Sequence, residues 1–181
     1  MAAERLTGVL LVGGASTRFG SAKALVDLGG ETLAERAWRT LGEACDERVA
    51  VGKAGELELP FAITDDGSPV RAPIAGVVAG LEAASSELCV VLPVDCPLVT
   101  PALLTALAGA CAGGDAAVPQ TGPLPGAYRK TALPALQRRL AEERLSLRDA
   151  LADLVTLTVD VDERLLANVN TPEDLERLVR E

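Results

Sequence analysis

Histidine is absent from all 181 residues. Without an imidazole there is no Ser-His or Cys-His nucleophilic pair, and the usual Cys/His zinc sets go with it. The four cysteines, Cys45, Cys89, Cys96 and Cys111, form no Cys-x-x-Cys pair, so no zinc knuckle or dithiol redox motif is encoded. Cys89 sits inside an apolar run and reads as a small buried hydrophobe. Cys96 follows the end of that run, where it can line a site, but no base is present to make it a nucleophile. Aromatic residues are nearly missing, with one Trp, one Tyr and two Phe. The core is therefore built from Leu, Val, Ala and Ile, as in sheets covered by helices. Positive charge is also short, 17 Lys and Arg against 26 Asp and Glu for a net −9. A surface of that sign argues against non-specific nucleic-acid binding and against anionic membranes. No apolar run reaches the length of a membrane-spanning helix, and the start Met-Ala-Ala-Glu-Arg lacks the order of a signal peptide. A cytoplasmic protein is expected.

The length suits one α/β domain over residues 1–181, with no linker long enough to divide it. Apolar strand patterns at 7–12, 47–51, 60–64, 88–94, 115–119, 125–129 and 155–160 alternate with helical patterns. The helices are expected near 32–44, 73–84, 101–112, 131–143, 147–153 and 172–180. Thr32 with Glu35 and Ser146 with Asp149 fit capping boxes. Thr100-Pro101 and Thr171-Pro172 each place a hydroxyl cap before a proline suited to the first turn. This alternation predicts a Rossmann-like, mostly parallel sheet with helices on both faces. Ligands in such sheets bind beyond the carboxyl ends of the strands. Gly13, Gly52, Asp65 with Asp66, and Asp95 follow the first four strand patterns and are expected to converge there.

The first strand pattern, Gly8-Val-Leu-Leu-Val12, runs into Gly13-Gly-Ala-Ser-Thr-Arg-Phe-Gly20 and then Lys23. Glycines let the backbone turn sharply and approach a ligand. Such a loop can aim N–H groups at phosphate oxygens while Arg18 and Lys23 supply charge. Neither a P-loop nor a dinucleotide fingerprint is present. The plainer reading makes the glycines turn residues and Arg18 a solvated charge.

Asp95 follows Leu88-Cys-Val-Val-Leu-Pro-Val94, an almost wholly apolar stretch. A carboxylate there is costly unless paired or holding a cation, and Mg²⁺ suits a site of one or two carboxylates completed by phosphates. The alternative is a turn residue before Pro97. Asp65 and Asp66 end another strand ahead of Pro73-Ile-Ala-Gly76-Val-Val-Ala-Gly80, and adjacent acids in loops are usually solvated. Gly76 and Gly80 give a smooth helix face, best explained by tight packing on the sheet. Near the C-terminus, Asn168-Val-Asn170-Thr-Pro-Glu-Asp reads as an extended end, a cap and a helix start. Its two amides fall on one side of the extended segment, suited to reading a heterocycle.

Three of these strings resemble the molybdenum cofactor guanylyltransferases. Leu11, Gly13, Gly14, Ser16, Arg18, Gly20 and Lys23 match their opening motif Leu-x-Gly-Gly-x-Ser-x-Arg-x-Gly-x-x-Lys. Pro93-Val-Asp95-Cys-Pro97 is similar to their Pro-x-Asp-x-Pro, and Asn168 to Asp174 to their Asn-x-Asn-Thr-Pro-Glu-Asp. The resemblance runs in order from residue 8 to about 176 and is least clear over 113–150. It implies the fold of nucleotide-diphospho-sugar transferases. It further implies transfer of GMP from GTP to a molybdopterin acceptor, with Mg²⁺ at Asp95 and pyrophosphate leaving. By the same resemblance Arg18, Lys23 and Asp95 are catalytic. Leu11, Val12, Gly13, Gly14, Ser16, Arg18, Lys23, Asp65 and Asp95 bind nucleotide, with Asp66 as the rival of Asp65. Asn168 and Asn170 lie on the pterin side. Transient contacts with other molybdenum cofactor proteins follow from such a product.

The chain departs from the family in Ala22, where Asp is usual before the Lys, in Ala72, and in Gly52-Lys53, where Asn is common near the guanine. Arg129 and Lys130 stand either against the pterin phosphate or at a solvated strand end. Cytidylyl transfer, and transfer to a sugar phosphate or another phosphorylated metabolite, are the alternative reactions. A nucleotide-binding accessory subunit without turnover is the alternative that is not an enzyme.

Overall fold

A computed structural model of the chain describes residues 4–13 and 22–180. Seven strands form one sheet: β1 (Leu6–Leu11), β2 (Glu47–Gly52), β3 (Ile63–Asp65), β4 (Leu88–Pro93), β5 (Ala116–Pro119), β6 (Gly126–Arg129) and β7 (Thr156–Val159). Their order is β3-β2-β1-β4-β6-β5-β7. The pairs β1–β2, β1–β4, β2–β3 and β5–β7 are parallel, whereas β6 runs antiparallel to both β4 and β5. The expected mostly parallel sheet is present, with one reversed strand inserted between β4 and β5.

Helices α1 (Leu33–Ala44), α3 (Pro101–Ala110) and α6 (Pro172–Arg180) cover one face, and α2 (Pro73–Ala83), α4 (Leu133–Ala141) and α5 (Leu147–Ala150) the other. The period-2 geometry of strands divides the core between the faces. Leu6 and Leu10 of β1 join Leu88, Val90 and Leu92 of β4 under α1 and α3. Val9, Leu11, Cys89 and Val91 face α2. Each fully buried Leu or Val contributes about 1.5–3 kcal/mol relative to exposure, so this aliphatic core needs few aromatics.

Two central helices follow directly from their sequences. The Thr32 hydroxyl accepts from Glu35 N while Glu35 Oε2 accepts from Thr32 N, closing the expected capping box on α1. Helix α2 is buried almost all round, and its glycines have a packing reason. A Cβ on Gly80 would lie 2.3 Å from Val9 Cγ1, and one on Gly76 2.8 Å from Leu11 Cδ2. Helix and sheet thus approach at distances no side chain would allow.

The expected strand at 60–64 is reduced to Ile63–Asp65. Pro60 has no N–H to donate, and Phe61 turns instead to stack on Trp38 of α1, ring centroids 4.2 Å apart. The expected helix 147–153 is α5 followed by a 3-10 turn at Leu151–Asp153. Among the described residues, no helix is long and apolar enough to cross a membrane.

Candidate functional site

The carboxyl ends of β1, β2 and β4 border a cavity of about 300 Å³, closed on one side by the start of α2. Gly13, Gly52, Asp66, Gly76, Asp95 and Leu124 are among its lining residues. Convergence of the strand ends is therefore realised. Gly52 matters to the closeness of β1 and β2, because a Cβ there would lie 2.8 Å from Val12 Cγ2. The ends are pinned past the sheet proper: Val12 N donates to Val51 O, and Val94 N to Leu11 O, both at 3.0 Å.

At the centre stands a half-buried charge pair. Lys23, on a 3-10 turn at Lys23–Leu25, reaches Asp95 Oδ2 at 3.1 Å and Asn170 Oδ1 at 2.9 Å. The turn that carries Asp95 is fixed by Arg36 of α1, whose Nε donates to Pro97 O at 3.1 Å. Asp95 O accepts from Val169 N at 2.8 Å, drawing the 168–170 segment against β4. The Asp174 carboxylate then accepts from Asn170 N and Thr171 N, and the Thr171 hydroxyl from Asp174 N, so the expected cap on α6 also holds this segment. Residues 23, 95, 168 and 170, far apart in sequence, meet here.

Cys96 is buried in that junction, and its thiol donates to Asn168 Oδ1 at 2.9 Å. Burial, with the Asp95 carboxylate 3.7 Å away, pushes the thiol well above its ordinary range. In this junction it serves as an S–H donor.

The two neighbouring acids part company. Asp65 is not among the residues lining the cavity, and its oxygens accept from Gly67 N at 2.8 Å and Ala54 N at 2.9 Å. Those bonds, from Gly67 first, hold its carboxyl below the usual range. Asp66 lines the cavity and pairs with Lys53 at 2.5 Å. Lys53 also donates to Ser68 O and Val70 O, gathering the loop after β3 onto the end of β2. Sequence reasoning passed over Arg71 and Leu124, which also line the cavity, and met Lys53 only as a departure from the family's usual Asn. The available signal was a charge placed directly after an apolar strand, the same signal that marked Asp95.

Arg129 and Lys130 lie at the other end of the sheet, where Arg129 is opposite Leu88 at the start of β4. Arg129 holds Glu4 through its two terminal guanidinium nitrogens, at 2.6 and 2.8 Å, and Lys130 Nζ donates to Ala84 O at 2.7 Å. They stand at a strand end, as in one of the two readings, but half-buried and paired there, not solvated. Gly14, Ser16, Arg18 and Gly20 fall outside the described residues.

Asp95 fits a hard cation carried in by phosphates. Among the described residues Oδ2 meets Lys23 and Oδ1 has only the long thiol contact, which leaves carboxylate lone pairs for a cation. No group of three or more His, Cys, Asp or Glu able to hold a metal exists among the described residues. A site of one carboxylate completed by substrate oxygens is the arrangement Mg²⁺ tolerates well.

Comparison with known proteins gives a consistent answer. The family model for the MobA-like NTP transferase domain matches residues 8–157. A protein of Deinococcus radiodurans named probable molybdenum cofactor guanylyltransferase is 35% identical over 182 residues, covering 96% of this chain and 93% of its own length. One of the same name from Chloroflexus aggregans is 34% identical, with 94% and 91% covered. The crystal structure of molybdopterin-guanine dinucleotide biosynthesis protein A from Archaeoglobus fulgidus superposes with a TM-score of 0.83 at 27% identity, covering 96% of this chain and 97% of that one.

Proposed function

The chain belongs to the MobA-like NTP transferase family, and on that premise we propose that it is a cytoplasmic, Mg²⁺-dependent guanylyltransferase. It moves GMP from GTP to molybdenum-loaded molybdopterin, yielding the guanine dinucleotide and pyrophosphate. The observation that carries this reading is the Lys23–Asp95 pair set at a cavity beyond the carboxyl ends of β1, β2 and β4. A transient hand-over of the product to other molybdenum cofactor proteins belongs to the same reading.

In the proposed reaction, the terminal phosphate oxygen of the acceptor attacks the α-phosphorus of GTP. A new P–O bond forms as the bond to the β-phosphate bridging oxygen breaks, and pyrophosphate leaves with the electron pair. Such a nucleophile is already anionic near neutral pH, so no general base is required, which suits a chain without histidine. Positioning and charge neutralisation then supply the catalysis.

Leu11, Val12, Gly13 and Gly14 offer backbone to the nucleotide, with Ser16 and Arg18 on the phosphate loop. Lys23 and Arg18 take the leaving pyrophosphate. Bound at Asp95, Mg²⁺ supplies Lewis-acid polarisation of phosphoryl oxygens. Asp66 faces the nucleotide cavity, with Asp65 behind it fixing the turn. Asn168 and Asn170 border the acceptor side.

Incubation with α-labelled GTP, Mg²⁺ and molybdenum-loaded molybdopterin is expected to give labelled dinucleotide and stoichiometric pyrophosphate. Product from CTP but not GTP would move the assignment to cytidylyl transfer, for which Gly52-Lys53 in place of the usual Asn is the motivating departure. Nucleotide binding without pyrophosphate release would instead make the chain an accessory subunit.

A further inference from the structure

We propose that Asn170 is a positioning residue for the nucleotide half of the reaction, acting through Lys23. The inference rests on the proposed nucleotidyl-transfer reading and adds to the acceptor-side place given to Asn170. An ammonium only donates, so the Asn170 atom that faces Lys23 Nζ at 2.9 Å is its carbonyl oxygen. That oxygen and Asp95 Oδ2 hold the ammonium between them.

Asn170 is not free to adapt. Val169 is fully buried and its N–H is bound to Asp95 O, while Asn170 N and Thr171 N are both held at 3.0 Å by Asp174 Oδ2. The amide oxygen therefore presents a fixed neutral acceptor beside a flexible four-carbon side chain. A lysine with only Asp95 for a partner would lie along that carboxylate and compete with a cation there. Shared with a neutral oxygen, it keeps its position without neutralising Asp95 further, and among the described residues a third N–H is left for a phosphate. The C-terminal segment thus sets the geometry of a charge contributed from the other end of the chain.

A double-mutant cycle with Lys23→Met and Asn170→Ala, read as calorimetric binding of Mg·GTP without acceptor, tests this. Asn170→Ala is expected to weaken binding about tenfold in the parent, the effect of losing a hydrogen bond to a charged group. In the Lys23→Met background the same change is expected to cost less than about twofold. Equal losses in both backgrounds would make Asn170 a structural residue and overturn the proposal. So would parent-like nucleotide binding by Asn170→Ala, even with a raised acceptor KM. Urea unfolding of all four proteins separates misfolding from lost coupling. A parent that binds no nucleoside triphosphate would overturn the transferase reading and this inference together, whereas the other two results touch the inference alone.

Discussion

At the amino end of the strands, charged side chains are tied to one another and to the backbone, while the buried Ser86 hydroxyl has no partner among the described residues. Arg129 grips Glu4, Lys130 caps Ala84 O, and a single oxygen of Glu47 accepts from Thr7 Oγ1, Ser85 N and Ser85 Oγ. At the carboxyl end, about 17 Å away by strand rise, Lys23, Lys53, Asp66 and Asp95 also form pairs, but they do so along the wall of a cavity. Both ends carry an acid paired with a base. Strand direction decides which set meets a ligand, because the parallel strands all deliver their carboxyl ends to one side. A charge next to a strand is therefore uninformative until the end it occupies is known.

The comparison predicts that substitutions divide by pole. Lys23→Met removes the ammonium that faces the phosphates and is expected to lower kcat/KM by about a hundredfold or more. Steady-state pyrophosphate release measures it, and urea unfolding close to the parent's would show the fold intact. Lys53→Met frees Asp66 and the loop to Val70, so nucleotide KM is expected to rise several-fold, up to about tenfold, with kcat changing less. A fall in kcat at constant KM would mean that Lys53 acts in the transition state instead.

The amino pole is expected to respond in stability and not in turnover. Ser85 first, then Thr7, holds the Glu47 carboxyl below its ordinary value. A carboxyl lowered on folding adds stability above its unfolded pKa, and that stability is lost as pH falls through the folded value. The urea midpoint of the parent is therefore expected to drop as pH falls below the ordinary glutamate range and through the lowered folded value. In Glu47→Gln that drop is shallower, with neutral-pH turnover unchanged. The smallest effect is assigned to Arg129→Ala. It should cost about 1–2 kcal/mol in unfolding, since the half-buried side chain loses both the Glu4 pair and its bond to Cys111 O, and leave turnover within about twofold. A large loss of activity in Arg129→Ala would erase the division between the poles.

Much of this was legible in the sequence, for reasons that can be named. Apolar runs such as Leu88–Pro93 and the caps at Thr32 and Thr100 are local signals, and the elements they announce are present. Asp95 was legible because a carboxylate after a buried strand has few structural excuses. The reversal of β6 was not, since a four-residue strand with three buried residues carries no mark of direction. Nor could counting separate Asp65 from Asp66. One residue's shift in an extended segment swaps the face of the sheet, and Gly67 N and Ala54 N claim one carboxylate while Lys53 claims the other. The meeting of Asn170 with Lys23 depends on the entire fold between them.

The central claim is that the cavity beneath Asp95 is where nucleotidyl transfer takes place, and Asp95→Asn tests it most directly because shape is kept while charge is removed. Pyrophosphate release from Mg·GTP with molybdenum-loaded molybdopterin is the measurement, made on parent and variant side by side. A loss of two or more orders of magnitude, with urea unfolding as stable as the parent's or more so, is the expected result. Asn caps a turn nearly as well as Asp, so turnover within a few-fold of the parent would reduce Asp95 to a turn residue and contradict the account.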